Sequence, residues 1–117
     1  MAYIVHITHT EQWQAARESG LYQADTLTTQ GFIHCSTLEQ VIPVADFLFR
    51  GRKGLVLLEI DTDQVQAEIK YENLEGGTKL FPHIYGPIPI NAVRKVHDFL
   101  PQPDGSFELP KELRVGN

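Results

Sequence analysis

Gly31-Phe32-Ile33-His34-Cys35-Ser36-Thr37 reads as a short strand that leaves a glycine, carries one imidazole and runs towards the cap of a helix. Strand alternation places Phe32, His34 and Ser36 on one face and Ile33 and Cys35 on the other. The arrangement recurs twice. In Tyr3-Ile4-Val5-His6-Ile7-Thr8, His6 and Thr8 share a face and Val5 and Ile7 oppose them; in Phe81-Pro82-His83-Ile84-Tyr85-Gly86, His83 and Tyr85 oppose Ile84. Three strand-like segments thus each set a histidine against an apolar residue. Neighbouring strands that line a common cleft have this pattern.

Around these strands the chain alternates irregularly between periods. Thr8 with Glu11 fits a capping box that opens a helix through Trp13, Ala16 and Arg17 to Ser19, with Gly20 as its stop. Residues 21–30 are polar and without clear period, which predicts a surface loop. Ser36 with Glu39 predicts a second capped helix carrying Leu38, Val41, Val44, Ala45 and Leu48, kinked or broken at Pro43. Leu55-Val56-Leu57-Leu58-Glu59-Ile60 has little alternation, as a strand covered on both faces would. A helical turn at Asp61–Val65, strands near 67–71 and 94–99, a mobile Glu-Gly-Gly turn within 72–80, a turn at 103–106 and an exposed tail from Pro110 complete the reading. About two helices among some six strands favours α+β architecture in one domain over residues 1–117.

Composition narrows the function classes. Ten basic against fifteen acidic residues give a net charge of −5, which disfavours non-specific binding to long nucleic acid. Cys35 is the single cysteine, so neither an internal disulfide nor a thiolate zinc site can form, and a buried apolar role suits it best. The start of the sequence lacks a basic region followed by a long apolar segment, and the aliphatic run from Leu55 to Leu58 is too short to span a bilayer. The expectation is a cytoplasmic protein with no membrane partner.

His6, His34 and His83 admit three uses. One is a three-histidine metal site of hydrolytic type, although the tight ligand spacing of a chelate is absent. Another is chemistry at a ribose carbon, where neutral imidazoles hold hydroxyls while a base departs, Phe32 and Tyr85 stack on a flat nicotinamide ring, and no metal is needed. The last is structural, each histidine being a satisfied buried polar residue. That reading is the commoner one for a single histidine and weakens for three on corresponding faces.

Gly-Phe-Ile-His-Cys-Ser-Thr together with Phe-Pro-His-Ile-Tyr-Gly-Pro resembles the signature pair of the domain of unknown function 952 family of small bacterial domains, over nearly the whole chain. That family is similar in fold to the ADP-ribosyltransferases, including the NAD-dependent RNA 2′-phosphotransferases and the poly(ADP-ribose) polymerases. The order Val5-His6-Ile7-Thr8, a helix ending at Gly20-Leu21, then His34-Cys35-Ser36 parallels theirs, and Leu55–Asp61 resembles a phosphotransferase strand ending in Ile-Asp.

The resemblance implies a mostly antiparallel, twisted split sheet of ADP-ribosyltransferase type with NAD as substrate. It places His6 at the ribose of the ADP-ribose half and His34 with Ser36 at the nicotinamide half; Thr8 is a further candidate cofactor contact. In a catalytic site His6 and His34 would hold the ribose while His83 acted as general base. Two departures stand out: Ile7 replaces the usual glycine, and His83 stands where polymerase-type transferases carry a glutamate, with Glu72 too distant along the chain to substitute. The expected partner is a small nucleotide, with the acceptor open. A non-catalytic ligand-binding or partner-binding module on the same fold is the rival expectation.

Overall fold

The structure, a computed structural model, describes residues 3–73 and 78–114. In chain order these form β1 (Tyr3–His9), α1 (Thr10–Ser19), β2 (Leu21–Tyr22), α2 (Asp25–Thr29), β3 (Ile33–His34), α3 (Val41–Leu48), β4 (Leu55–Asp61), β5 (Ile69–Glu72), β6 (Phe81–Ile84), β7 (Ile88–Pro89) and β8 (Val93–Phe99). Short 3-10 turns occupy Thr62–Gln64, Ile90–Ala92 and Lys111–Leu113. It is a mixed fold of antiparallel sheets and three helices among the described residues.

β4 is the axis. It pairs antiparallel with β1 on one side and β8 on the other, and its side chains feed two separate cores. Val56, Leu58 and Ile60 pack with Ile4, Trp13, Ala16, Tyr22, Ile33, Ile84 and Ile88. Leu55 and Leu57 pack with Val5, Val41, Ala45, Phe99, Phe107 and Leu113. Burial on both faces is why this run lacks alternation, and each fully buried aliphatic here contributes about 1.5–3 kcal/mol of transfer free energy. The exception is Glu59, which is 5 % exposed and held 3.1 Å from both His97 Nε2 and Arg94 Nε. A buried carboxylate needs such partners.

The second three-stranded sheet has the order β3-β6-β5, and β2 pairs β7 as a separate ribbon. Among the described residues a single backbone-paired bridge joins the two larger sheets: Val5 N–H donates to Ser36 O and Ser36 N–H to Val5 O, both at 2.9 Å. This is a sheet split along the line between β1 and β3.

Helix boundaries differ from expectation for local reasons. Thr8 stays in β1 opposite Val56; its hydroxyl is taken up by other side chains, so α1 starts at Thr10, whose N–H and Oγ1 both donate to Gly54 O. Ser36 cannot cap a helix because its backbone is bonded to Val5. Gln40 Oε1 instead accepts the Thr37 N–H at 3.1 Å, and α3 begins at Val41.

The late start of α3 puts Pro43 in the first turn, where its missing N–H has no intrahelical partner to lose, and no break follows. Gly20 ends α1 as expected, at φ 91° with its N–H on Ala16 O. The expected loop at 21–30 instead holds β2 and α2. The tail from Pro110 is docked through 114, with Leu113 buried. Glu75, Gly76 and Gly77 of the predicted mobile turn lie outside the described residues, as do 115–117.

Candidate functional site

Where β1 and β3 part beyond the Val5–Ser36 pair, side chains replace the backbone ladder. The edge of β3 that gives Ser36 to β1 also points the His34 carbonyl into the gap. His6 Nδ1–H donates to that carbonyl at 2.5 Å, and His6 Nε2 lies 2.8 Å from the Tyr22 hydroxyl. The Tyr22 oxygen is 2.8 Å from Thr8 Oγ1, which is 2.8 Å from the Gln12 amide. Burial lowers His6 from 6.5 to about 4, so the ring is neutral at pH 7. Its one N–H must face the carbonyl, which can only accept, and Nε2 therefore accepts the Tyr22 proton. Burial also pushes Tyr22 up to about 12. His6 bridges the mouth of the split and has both ring nitrogens engaged.

The second half of the site sits on β3, β6 and β5. The register sets His34 opposite His83 and Lys70 opposite His83 on the other side, with Glu72 opposite Phe81. These residues therefore share one face. His83 Nδ1 lies 3.0 Å from Glu72 Oε1, and the Tyr85 hydroxyl donates to the same oxygen.

Phe32 is the packing centre of this group. It stacks on His83 with centroids 4.3 Å apart at 27°, and lies 4.8 Å from the His34 ring and 5.2 Å from that of Tyr85. His34 meets His83 edge-on at 5.2 Å, and its Nε2 is 2.8 Å from Gln30 Oε1. The hydrogen bonds from Tyr85 and then His83 hold Glu72 below the usual carboxylate range, while Glu72 pushes Tyr85 up to about 12. At neutral pH this is an ionised carboxylate receiving a phenol and an imidazole.

A cleft of about 950 Å³ runs along the split. His6, Thr8, His34, Ser36 and His83 all border it, as do Gln12, Tyr22, Gln30 and Glu72; α3 adds an apolar flank of Val44, Phe47, Leu48 and Phe49. The three histidines predicted to converge do so. Phe32 and Tyr85 do not line the cleft: Phe32 is buried with its ring laid on His83, and the Tyr85 hydroxyl is committed to Glu72. Neither ring is placed to stack on a ligand, and both support His83 from behind.

Cys35 is buried in the core and burial pushes its thiol up, which suits an inert role. Among the described residues no group of three or more His, Cys, Asp or Glu side chains is placed to hold a metal ion. No helix there is long and apolar enough to cross a membrane.

Sequence reasoning set Glu72 aside for its distance along the chain and missed Tyr22 and the two glutamines. Glu72 reaches His83 only through the β5–β6 register, which strand alternation alone does not supply. Tyr22 sat in the segment read as loop.

Comparison with known proteins adds the following. The family model described as "Protein of unknown function (DUF952)" matches residues 7–96. No curated protein matches. The crystal structure of protein CC0527 from Caulobacter crescentus is similar at 32 % identity and a TM-score of 0.83, covering 94 % of this chain and 96 % of that one. The solution NMR structure of CC0527 gives the same identity and TM-score and covers 99 % of this chain and 100 % of that one.

Proposed function

This chain belongs to the DUF952 family, and we propose that its cleft binds NAD or a related nucleotide, with transfer of an ADP-ribosyl group as the reaction such a site would run. The observation that carries the reading is the convergence of His6, His34 and His83 on one cleft large enough for a nucleotide. Two antiparallel sheets parted along a line support an ADP-ribosyltransferase-like fold in a single domain.

In this reading the hydroxyls of Thr8 and Ser36 and the His34 ring hydrogen-bond the ribose. His6 acts indirectly, by fixing the His34 carbonyl and the Tyr22 hydroxyl. Phe47 and Phe49, the aromatic residues of the α3 flank, replace Phe32 and Tyr85 as the surfaces for a flat base. Lys79 is the one lysine or arginine among the described lining residues, so it would meet the phosphates.

A second reading keeps the cleft and drops the chemistry. It is favoured by His6, whose nitrogens are both engaged within the protein as those of a structural residue would be. Titration calorimetry with NAD and with ADP-ribose, followed by an assay for released nicotinamide, separates the two. Saturable binding that weakens at least tenfold in Lys79→Ala and His34→Ala is expected for both. Nicotinamide release marks the transferase, and binding without release marks the module. Absence of binding by either nucleotide overturns the proposal.

A further inference from the structure

We propose that Glu72 and His83 form a general-base pair, with His83 as the base facing a protic acceptor in the cleft and Glu72 as the residue that positions it. The inference rests on the nucleotide reading for the identity of the transferred group, but its geometry stands apart from it. Neutral imidazole carries one N–H. Glu72 Oε1 lies 3.0 Å from His83 Nδ1, and a carboxylate can only accept, so in the neutral ring the proton sits on Nδ1 and the lone pair on Nε2. This is how a carboxylate sets a histidine to take a proton from a nucleophile.

The surroundings limit motion of both partners. Tyr85 donates to the same carboxylate oxygen, and Phe32 stacks on the imidazole at 4.3 Å. His83 is 5 % exposed and borders the cleft beside Glu72, so a group bound in the cleft can reach the ring. An anchored ring between a stacked phenyl and a twice-bonded carboxylate exceeds what satisfying one buried histidine requires.

The acceptor class follows from the base. It is a group with a removable proton on oxygen: an alcohol, a sugar hydroxyl or water. The acceptor O–H bond breaks and its proton goes to His83 Nε2. The freed oxygen bonds to C1′ of the nicotinamide ribose, and the C1′–N bond breaks with its electron pair passing to the ring nitrogen, so nicotinamide leaves neutral. His83 ends as an imidazolium beside the Glu72 carboxylate. An acceptor that is already an anion would gain nothing from the pair.

The test measures histidine side-chain nitrogen shifts by NMR on the full chain, in wild type and in Glu72→Gln, with His83→Gln to assign the signals. Nicotinamide release from NAD with glycerol or water as acceptor is followed in parallel. The expected result is His83 held as the Nδ1–H tautomer in wild type and mixed in Glu72→Gln. In that variant kcat falls about a hundredfold while KM for NAD stays within twofold.

His83 found as the Nε2–H tautomer in wild type overturns the pair even where NAD is turned over. So does an unchanged kcat in Glu72→Gln. If NAD does not bind while His83 is held as Nδ1–H, the nucleotide reading falls alone and the anchored base is upheld.

Discussion

The sheets on either side of the split differ in strand length and in what they bury. Strands β1, β4 and β8 are seven residues each, whereas β3, β6 and β5 have two, four and four. The long sheet is centred on β4, which is aliphatic on both faces but for Glu59 and is laddered to a strand on each side. The short one has few ladder bonds and is braced by rings and a carboxylate: Phe32, His34, His83, Tyr85 and Glu72. One half supplies stability, and the other presents polar groups whose positions depend on it. Imidazoles and a carboxylate on short strands keep their places when a rigid neighbour sets the backbone beneath them.

The widest test of this division is Leu58→Ala. Leu58 is fully buried at the centre of β4, and its truncation should cost about 4 kcal/mol, read as a drop in the urea midpoint. Below the new midpoint the His83 tautomer should be unchanged. A loss under 1 kcal/mol would mean that the long sheet does not carry the fold.

His6 stands at the join and gives the next effect. The unfolded chain protonates it near 6.5 and the folded chain only near 4. Its contribution is therefore complete above pH 6.5 and is lost as pH falls through that window towards 4, a loss of about 3 kcal/mol at 1.36 kcal/mol per unit. The slope of unfolding free energy between pH 6.5 and 4 should be flatter in His6→Asn than in wild type, since asparagine keeps a donor and does not titrate. Equal slopes would show that His6 is open to solvent and not the buried bridge between β1 and β3.

The smallest effect belongs to the short sheet alone. A Cβ at Gly86 would lie 2.7 Å from Ala67 Cβ, so Gly86→Ala must push the two segments apart, at about 2 kcal/mol. The displacement falls beside Tyr85, and its phenol should titrate closer to the ordinary value as the Glu72 bond loosens, followed by ultraviolet absorbance. A change confined to the long sheet's amide signals would erase the distinction between the halves.

Much of the long sheet was legible from residues alone. Leu55–Ile60 announced burial on both faces, Gly20 marked the end of α1, and the three histidine-bearing strands were placed with their faces correctly paired. The site was legible as a set of rings on matching faces but not as a network, because Glu72 meets His83 by register and not by sequence distance. Both capping boxes failed for one reason: Thr8 and Ser36 have stronger partners across the fold than the helix ends they precede. Tertiary bonds to Tyr22 and Val5 outweighed a local cap of about 1 kcal/mol.

The lone Val5–Ser36 pair has a mechanical meaning. A seam closed by two amide bonds and one imidazole resembles a zip with a single tooth, while the contact of Ile33 and Ile84 with Ile4 and Leu58 beneath it is non-directional and tolerates sliding. Gaping of the two plates about that tooth would sacrifice only a sliver of the ladder bonding, so the amides of Val5 and Ser36 should exchange with deuterium well ahead of those in β4. A ligand bridging both plates would act as a second tooth and slow them.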